Sequence, residues 1–283
     1  MIKNLIMALG IVLVVAAASI TVKDEINYQF FSNNDAPATN QDSGSCADNS
    51  NIALIKIHGT IVNYKIDPNN DPNGIYDPDS VSSEVVAGYL EEIENDDRIK
   101  GVIVEIDSPG GSPTAGEEIM NPLLASTKPV VAFIRERGLS AGYLAATGAE
   151  KIYASPMSDV GSIGVTMSYL DNSAKNKKEG LTYNQLSTGK FKDSGDPDKE
   201  LTAEEKNVFM ADLEKIHRIF VEYVAQNRNM DIEAVTKLAD GSSMNAQDAI
   251  DAGLIDAIGG LNEARSYLAG KIGEDAMVCD YSE

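Results

Sequence analysis

The sequence has few of the residues that form metal sites or disulfide frameworks. It contains two cysteines, two histidines and no tryptophan among 283 residues. Cys46 and Cys279 are too few and too far apart in sequence for a zinc site or a disulfide framework. The sequence is compatible both with a single disulfide between them and with two free thiols. His58 ends an apolar, strand-like run and His217 lies in a helical pattern, so both are interpreted as structural residues.

Basic residues are also scarce. Lysine and arginine total 23 against 44 acidic residues, which gives a formal net charge of −21 and a pI near 4.4. Binding to nucleic-acid phosphates depends on clustered lysine and arginine, and the sequence has no such cluster. The composition therefore argues against nucleic acid as a partner, and the acidic surface favours solubility.

An uncharged stretch runs from Leu5 to Val22 and is long enough to span a bilayer as an N-terminal transmembrane helix. A cleaved signal peptide is the competing interpretation, because the residues from Ala16 to Ser19 are small enough for peptidase cleavage. The run is long for the apolar core of a signal peptide, which favours an uncleaved anchor. Since Lys3 precedes the span, the rest of the chain is expected on the extracytoplasmic side of the cell membrane.

Composition divides the chain into four parts. Residues 1–31 hold the membrane anchor and its flank. Residues 32–50 are rich in Asn, Asp and Ser and lack large apolar groups, which is typical of a flexible tether. Residues 51–270 are predicted to form the folded domain, and residues 271–283 a C-terminal tail. Within the domain, the prolines and the Asn-Gly pair of residues 67–79 predict a surface loop.

Short apolar runs alternate with helical patterns throughout the folded domain. Strands are predicted at Ile52 to Ile57, Gly101 to Ile106, Pro129 to Ile134, Lys151 to Ala154 and Ile163 to Tyr169. Helices are predicted around Val81 to Ile93, over Thr114 to Ala125, and over a long amphipathic stretch that Thr202 and Glu205 open in capping-box spacing. Strands that are apolar throughout are usually buried on both faces, so the sequence predicts an α/β domain with mainly parallel strands.

Two strand-to-helix junctions carry the candidate chemistry. At the first, Gly110 and Gly111 follow a buried strand, and such paired glycines let backbone N–H groups approach a ligand closely. At the second, Ser140 stands where a helix begins, a position at which serine is also a common N-cap. Together the junctions have the layout of a nucleophile and an oxyanion hole, although a tight turn explains the glycines equally well.

A serine nucleophile needs a base, and neither histidine has a supporting carboxylate near it in the sequence. Lysine is the alternative base, provided that desolvation or a positive potential keeps it neutral. Lys190 and Lys192 both follow the last predicted strand. For either one, an ordinary surface lysine is the competing interpretation.

Five motifs, in their order and spacing, resemble the signal peptide peptidase A family in its short form with one catalytic unit. They are DSPGG at Asp107 to Gly111, the run from Ser140 to Val165, GKFKD at Gly189 to Asp193, LTAEEK at Leu201 to Lys206 and DAIDAGLIDAIGG at Asp248 to Gly260. The resemblance covers roughly Ile52 to Leu268. It implies a Clp-protease/crotonase-like fold of repeated β-β-α units.

The resemblance also implies roles for individual residues. Ser140 would be the nucleophile and Lys192 the base of a serine-lysine dyad. The amides of Gly111 and Ala141 would form the oxyanion hole, and the Ser162 hydroxyl would orient the lysine. No cofactor and no metal are implied. The family pattern more often has glycine at the position of Ala141, but an alanine still supplies the N–H.

By the same resemblance, the protein is expected to be a membrane-anchored serine endopeptidase that hydrolyses apolar, signal-peptide-like peptides at the outer face of the membrane. A ring-like homo-oligomer is implied, with active sites that take residues from adjacent subunits. The alternatives are a membrane serine protease that trims a specific membrane protein, an inactive scaffold on the same fold, and a crotonase-type acyl-CoA enzyme. The presence of both Ser140 and Lys192 argues against the scaffold, and the N-terminal span argues against an enzyme with a cytoplasmic cofactor.

Overall fold

A computed structural model describes residues 49–71 and 77–282 of the chain. The predicted membrane anchor, Cys46 and most of the predicted tether lie outside the described residues. Within the part that is described, no helix is long and apolar enough to cross a membrane.

Parallel strands form the centre of the fold. The strands of the described residues are β1 (Ile52–His58), β2 (Thr60–Val62), β3 (Ser80–Ser82), β4 (Gly101–Ser108), β5 (Val130–Leu139), β6 (Lys151–Ala154), β7 (Asp159–Gly161), β8 (Ser243–Asn245), β9 (Ala257–Ile258) and β10 (Val278–Asp280). The main sheet has the order β10-β1-β4-β5-β6-β9, and each of these pairs is parallel. Strand β7 extends it beside the end of β5 and pairs antiparallel with β8. Strands β2 and β3 form a separate parallel pair.

Helices cover both faces of the main sheet. They are α1 (Ser83–Asn95), α2 (Pro113–Ala125), α3 (Ala141–Ala146), α4 (Ser173–Lys178), α5 (Ala203–Asn227), α6 (Ile232–Leu238), α7 (Ala246–Asp251) and α8 (Leu261–Ile272). Alternate residues of β1 enter two cores, as expected for a strand with period two. Ile55 and Ile57 pack with α1, α2, α3 and α5, whereas Ile52 and Leu54 pack with α8. The predicted α/β domain with mainly parallel strands is therefore confirmed.

Four of the five predicted strands are present, as β1, β4, β5 and β6. The prediction of a strand from Ile163 to Tyr169 is wrong. Ser162 has a φ of 49°, which breaks the extended backbone after β7, and the chain then leaves the sheet. Ile163 is buried in the core, but no residue of the segment 164–204 is buried, so the remaining apolar residues that suggested a strand do not enter a core.

The long amphipathic helix is confirmed as α5. The Thr202 hydroxyl accepts a hydrogen bond from the Glu205 amide, and the Glu205 carboxylate accepts one from the Thr202 amide, which completes the predicted capping box. At the other end of the chain, residues 278–280 form β10, which pairs with β1 at the edge of the sheet. Cys279 of this strand is disulfide-bonded, and Cys46 is the only other cysteine of the sequence.

Candidate active site

Ser140 occupies a strained turn between β5 and α3. Its backbone has φ 52° and ψ −122°, a conformation that costs a non-glycine residue about 1–3 kcal/mol. Two backbone hydrogen bonds hold the turn: the Ser140 amide donates to the Gly161 carbonyl at 2.8 Å, and the Leu144 amide donates to the Ser140 carbonyl at 2.9 Å. Although Ser140 is the N-cap of α3, its hydroxyl makes no capping hydrogen bond. Helix capping therefore does not explain this serine.

The sequence itself carries a signal for this turn. Gly138 and Gly142 flank Ser140 in Gly-x-Ser-x-Gly spacing. This spacing is typical of a nucleophile elbow, in which a sharp strand-to-helix turn exposes the serine Oγ.

The loop after β4 is held close to this turn. The Ser108 hydroxyl accepts a hydrogen bond from the Gly110 amide at 3.1 Å, and the Ile61 amide donates to the Gly110 carbonyl at 2.8 Å. Gly111 has φ 154°, and a Cβ built on it would lie 2.0 Å from the Ile61 carbonyl oxygen. Only glycine fits at this position.

The amides of Gly111 and Ala141 have no acceptor among the described residues. Ala141 is the first residue of α3, where a helical N–H has no intrahelical partner. Gly111 and Ser140 line the same cavity, and Ala141 directly follows Ser140. Two free donors beside a serine hydroxyl are the elements that an oxyanion hole requires.

The cavity that Gly111 and Ser140 share is polar and also receives Ser162 and His217. Its far wall is the segment 239–241. The Ser162 hydroxyl donates to the Gly241 carbonyl at 3.0 Å. The His217 Nε2 lies 2.9 Å from the Ala239 carbonyl oxygen, so this nitrogen is assigned the proton, because a carbonyl only accepts.

The presence of His217 in this cavity could not be found from the sequence. The residue lies 77 positions after Ser140 in the numbering, and only the packing of α5 in the fold brings the two to one cavity. Its hydrogen bond to the wall segment is a structural contact, as interpreted from the sequence, but the residue also lines the same cavity as the candidate nucleophile.

Ser140 also lines a second, largely apolar cavity of about 220 Å³. This volume is below the roughly 300–1,000 Å³ of pockets that hold drug-sized ligands, so the cavity is sized for a single side chain. Its apolar walls come from α3, from the chain after β7 and from α5, through Leu144, Val165, Ile216, Ile219 and Phe220. Two polar residues that the sequence analysis did not identify, Glu117 and Tyr223, also line it.

Lys192 lies outside both cavities. Its side chain is exposed, and no hydrogen bond joins it to Ser140 in the part of the chain that the structure describes. The neighbouring Lys190 forms an ion pair with Glu204 at 2.7 Å. Within one chain, the structure therefore groups Gly111, Ala141 and Ser162 with Ser140 but does not bring Lys192 to them.

The loop that carries Lys192 is anchored to α5 through Glu205. This carboxylate is 3% exposed and accepts a hydrogen bond from the Ser194 hydroxyl at 3.2 Å. Lys199 forms an ion pair with it. The hydrogen bond from Lys199, followed by those from Thr202, lowers the pKa of Glu205 to about 2. The chain on the C-terminal side of Lys192 is thus held to α5 by hydrogen bonds and an ion pair at Glu205.

The arrangement around Ser140 is suited to acyl transfer. A hydroxyl on a strained turn, two nearby free amides and an adjoining cavity for one side chain correspond to a nucleophile, an oxyanion hole and a substrate subsite. Among residues 49–71 and 77–282, no group of three or more His, Cys, Asp or Glu side chains is placed to hold a metal ion.

Comparison with known proteins links this arrangement to peptidases. Residues 123–273, which include Ser140 and Lys192, match peptidase family S49. A putative protease of Methanocaldococcus jannaschii is 33% identical over 201 residues, which cover 70% of this chain and 65% of that protein. A putative signal peptide peptidase SppA of Enterococcus faecium is 30% identical over 268 residues, which cover 93% and 76%. The chloroplastic serine protease SPPA of Arabidopsis thaliana is 30% identical, and this chain spans 31% of its length.

A search of solved structures finds a ClpP1 variant from Listeria monocytogenes. The match has a TM-score of 0.47 and 15% sequence identity, and it covers 74% of this chain and 92% of the other.

Proposed function

Because the chain belongs to peptidase family S49, and is therefore a serine peptidase, we propose that it is a membrane-anchored endopeptidase with a Ser140–Lys192 dyad. The observation that carries the proposal is the strained turn at Ser140. Its hydroxyl makes no capping hydrogen bond, and the residue lines both the polar cavity that Gly111 lines and the apolar cavity that Ala141 lines. Strained turns of this kind persist where the surrounding structure enforces them, and they are concentrated at active sites.

In the proposed reaction, the Ser140 Oγ attacks the carbonyl carbon of the scissile peptide bond while the neutral Lys192 amine takes the hydroxyl proton. The carbonyl oxygen becomes negatively charged and accepts hydrogen bonds from the amides of Gly111 and Ala141. When the C–N bond breaks, the Lys192 ammonium returns its proton to the leaving amine. Water, activated by the same lysine, then hydrolyses the ester on Ser140 and restores the free serine.

In the proposed enzyme, Lys192 comes from a neighbouring subunit of a ring-like homo-oligomer. The segment 164–204, which we call the arm, carries Lys192 and contains no buried residue. Its exposed large apolar side chains are Met167, Tyr169, Leu170, Leu181, Leu186 and Phe191. So many exposed apolar groups on one segment are typical of a protein interface. An arm that packs on the next subunit would bury them, and Ser162 would then orient the incoming lysine.

The proposed substrates are apolar peptides, in particular remnants of cleaved signal peptides. The proposed fold of the protein is Clp-protease/crotonase-like. The similarity to a protein named as a putative signal peptide peptidase supports this choice of substrate. A membrane serine protease that trims one specific membrane protein is the second candidate, because the cavity beside Ser140 would also accept a side chain of such a substrate.

The proposed location is the extracytoplasmic side of the cell membrane, with the chain anchored by the uncharged stretch from Leu5 to Val22. An independent feature supports the compartment. Cys279 is disulfide-bonded, and disulfides persist in oxidising compartments outside the cytoplasm.

Labelling with a serine-reactive fluorophosphonate tests the nucleophile directly. We expect wild-type protein to be labelled and Ser140→Ala to remain unlabelled. Ser82→Ala is the matched control, because Ser82 is the N-cap of α1 and its hydroxyl accepts from the Val85 amide. This control should lose about 1 kcal/mol of stability and keep its label. Labelling of folded Ser140→Ala would refute the assignment.

A further inference from the structure

The apolar cavity beside Ser140 contains a carboxylate without a cationic partner. Glu117, on α2, lines the cavity and is half-buried. The Tyr223 hydroxyl donates a hydrogen bond to its Oε1 at 2.6 Å. No lysine or arginine of the described residues pairs with Glu117, and its Oε2 has no hydrogen-bond donor among them. One oxygen of a charged group in the lining of a largely apolar cavity thus has no hydrogen-bond donor among the described residues.

The position of Glu117 relative to the candidate nucleophile is set by a close helix contact. A Cβ built on Gly116 would lie 2.9 Å from the Ala141 carbonyl oxygen, so α2 and α3 touch at the residues that adjoin Glu117 and Ser140. Both residues line the same cavity. The carboxylate is therefore held on α2, and the hydroxyl on the turn that begins the packed helix α3.

We infer that this cavity binds the side chain on the N-terminal side of the scissile bond, and that Glu117 makes it select lysine or arginine. The inference rests on the proposed function, because it takes Ser140 as the nucleophile. The aliphatic stem of a basic side chain would lie along the walls formed by Leu144, Val165 and Phe220, and its cationic end would reach Glu117. The volume of the cavity matches one such side chain and not a larger ligand.

Electrostatics favour a basic side chain over an apolar one at this site. An apolar side chain would remove water from the Glu117 carboxylate without replacing its hydrogen bonds, and such desolvation is unfavourable. A cation compensates for the lost water through a charge-assisted hydrogen bond. An acidic side chain would be repelled. The hydrogen bond from Tyr223 fixes the direction of the carboxylate, and the same bond raises the pKa of Tyr223, so the tyrosine remains a donor at neutral pH.

Binding to the full-length Ser140→Ala protein tests this inference without any chemical step. The probes are four fluorescein-labelled peptides of alanine and threonine in which one central residue is Lys, Arg, Leu or Glu, and affinity is measured by fluorescence anisotropy. The varied residue is the one large side chain, which fixes the register. We expect the Lys and Arg peptides to bind about 10- to 100-fold more tightly than the Glu peptide, the range for a hydrogen bond to a charged group.

Variants at Glu117, made in the Ser140→Ala background, identify the group responsible. Glu117→Gln should weaken binding of the Lys peptide by about tenfold or more and change binding of the Leu peptide by less than about twofold. Glu117→Lys should reverse the preference in favour of the Glu peptide. Glu222→Gln is the matched control, because Glu222 adjoins Tyr223 on α5 but is exposed and does not line the cavity. It should leave all four affinities unchanged.

The inference is wrong if no peptide binds, or if the ratio of lysine to leucine affinity is the same in Glu117→Gln as in the protein with Glu117. Hydrolysis of the same peptides by protein with Ser140 intact is a separate measurement. Lysine-selective binding without hydrolysis would refute the peptidase mechanism and leave the subsite standing. Hydrolysis with no dependence on Glu117 would refute the subsite and leave the mechanism standing.

Discussion

Gly110 and Ser140 are in close contact: a Cβ built on Gly110 would lie 2.7 Å from the Cβ of Ser140. Gly110 also has φ 109°, which side-chain-bearing residues rarely adopt. The loop that carries the candidate oxyanion donor and the turn that carries the candidate nucleophile are therefore one packed unit. A substitution that moves either one is expected to move the other.

The oxyanion hole is best tested at Ala141, because Gly111 does not tolerate the necessary change. Proline cannot adopt the φ of 154° found at Gly111, so a proline there would disrupt the loop itself. Ala141 is the first residue of α3, a position where proline is well tolerated. Ala141→Pro deletes one N–H donor and should lower turnover of a quenched peptide by at least about 100-fold.

Ala141→Ser is the control for this change, since it keeps the N–H and adds only one oxygen atom. It should retain most of the activity. The melting temperature of each variant establishes that it is folded before turnover is compared. Full turnover by a folded Ala141→Pro protein would exclude the Ala141 amide from the oxyanion hole.

Substituting each candidate base in turn tests whether Lys192, Lys190 or His217 takes the proton from Ser140. Lys192→Met should reduce turnover by about 100- to 10,000-fold, the usual contribution of a general base. Lys190→Met should have little effect, because the Lys190 ammonium is paired with Glu204. His217→Gln keeps a side-chain donor for the Ala239 carbonyl and is also expected to retain most of the turnover.

The pH dependence of turnover is a second test of whether the base is a lysine or a histidine. A lysine base loses its proton at higher pH than a histidine, so activity should continue to rise above pH 7 in wild-type protein. A plateau reached below about pH 7.5, together with loss of turnover in His217→Gln, would assign the base to histidine instead.

Several parts of the fold and of the candidate site could be predicted from the sequence, because they depend on local patterns. Strands β1, β4, β5 and β6 are apolar runs, and α5 begins at a capping box that both partners complete. The two junctions that carry Gly111 and Ser140 follow from glycine and serine at the ends of predicted strands.

Other parts depend on contacts between residues distant in sequence and were not predictable. The apolar residues after Ile163 resemble the continuation of a strand, but none of residues 164–170 is buried by the described part of the chain. Glu117 and Tyr223 lie on two helices and meet only through the fold. The same holds for His217, whose helical surroundings indicate a structural residue and give no sign of the cavity that it shares with Ser140.

Acid should loosen the loop that carries Lys192. The pKa of Glu205 is lowered from its ordinary value of 4.5 to about 2. A carboxyl group with a lowered pKa stabilises the folded state above its unfolded pKa, and this contribution is lost as the pH falls from about 4.5 towards 2. The difference in melting temperature between wild type and Glu205→Gln should thus be constant above pH 5 and shrink as the pH approaches 2.

Glu204→Gln is the control for this measurement, because Glu204 is exposed and adjoins Glu205 on α5. Its melting temperature should follow that of wild type closely throughout. A wild-type advantage over Glu205→Gln that persists unchanged at pH 2 would show that the charge on Glu205 does not stabilise this loop.

Membrane attachment is expected to reside in the first residues of the chain. Full-length protein should fractionate with membranes, because the uncharged stretch from Leu5 to Val22 is long enough to span one. A truncated protein that begins at Asn51 should be recovered in the soluble fraction with a cooperative melt. Uncleaved full-length protein in the soluble fraction would contradict the anchor.

Mixing two inactive variants tests whether each active site is shared between subunits. Ser140→Ala keeps Lys192, and Lys192→Met keeps Ser140, so each protein alone should be inactive. If Ser140 of one subunit works with Lys192 of the next, random co-assembly in equal amounts leaves about one site in four with both residues, as expected for a head-to-tail ring. Co-expressed variants should then show about a quarter of wild-type turnover, whereas the variants assembled separately and mixed afterwards should show little until subunits exchange. If co-expression restores no turnover while wild type is active, then serine and lysine come from the same chain, and the exposed position of Lys192 seen here must change before catalysis.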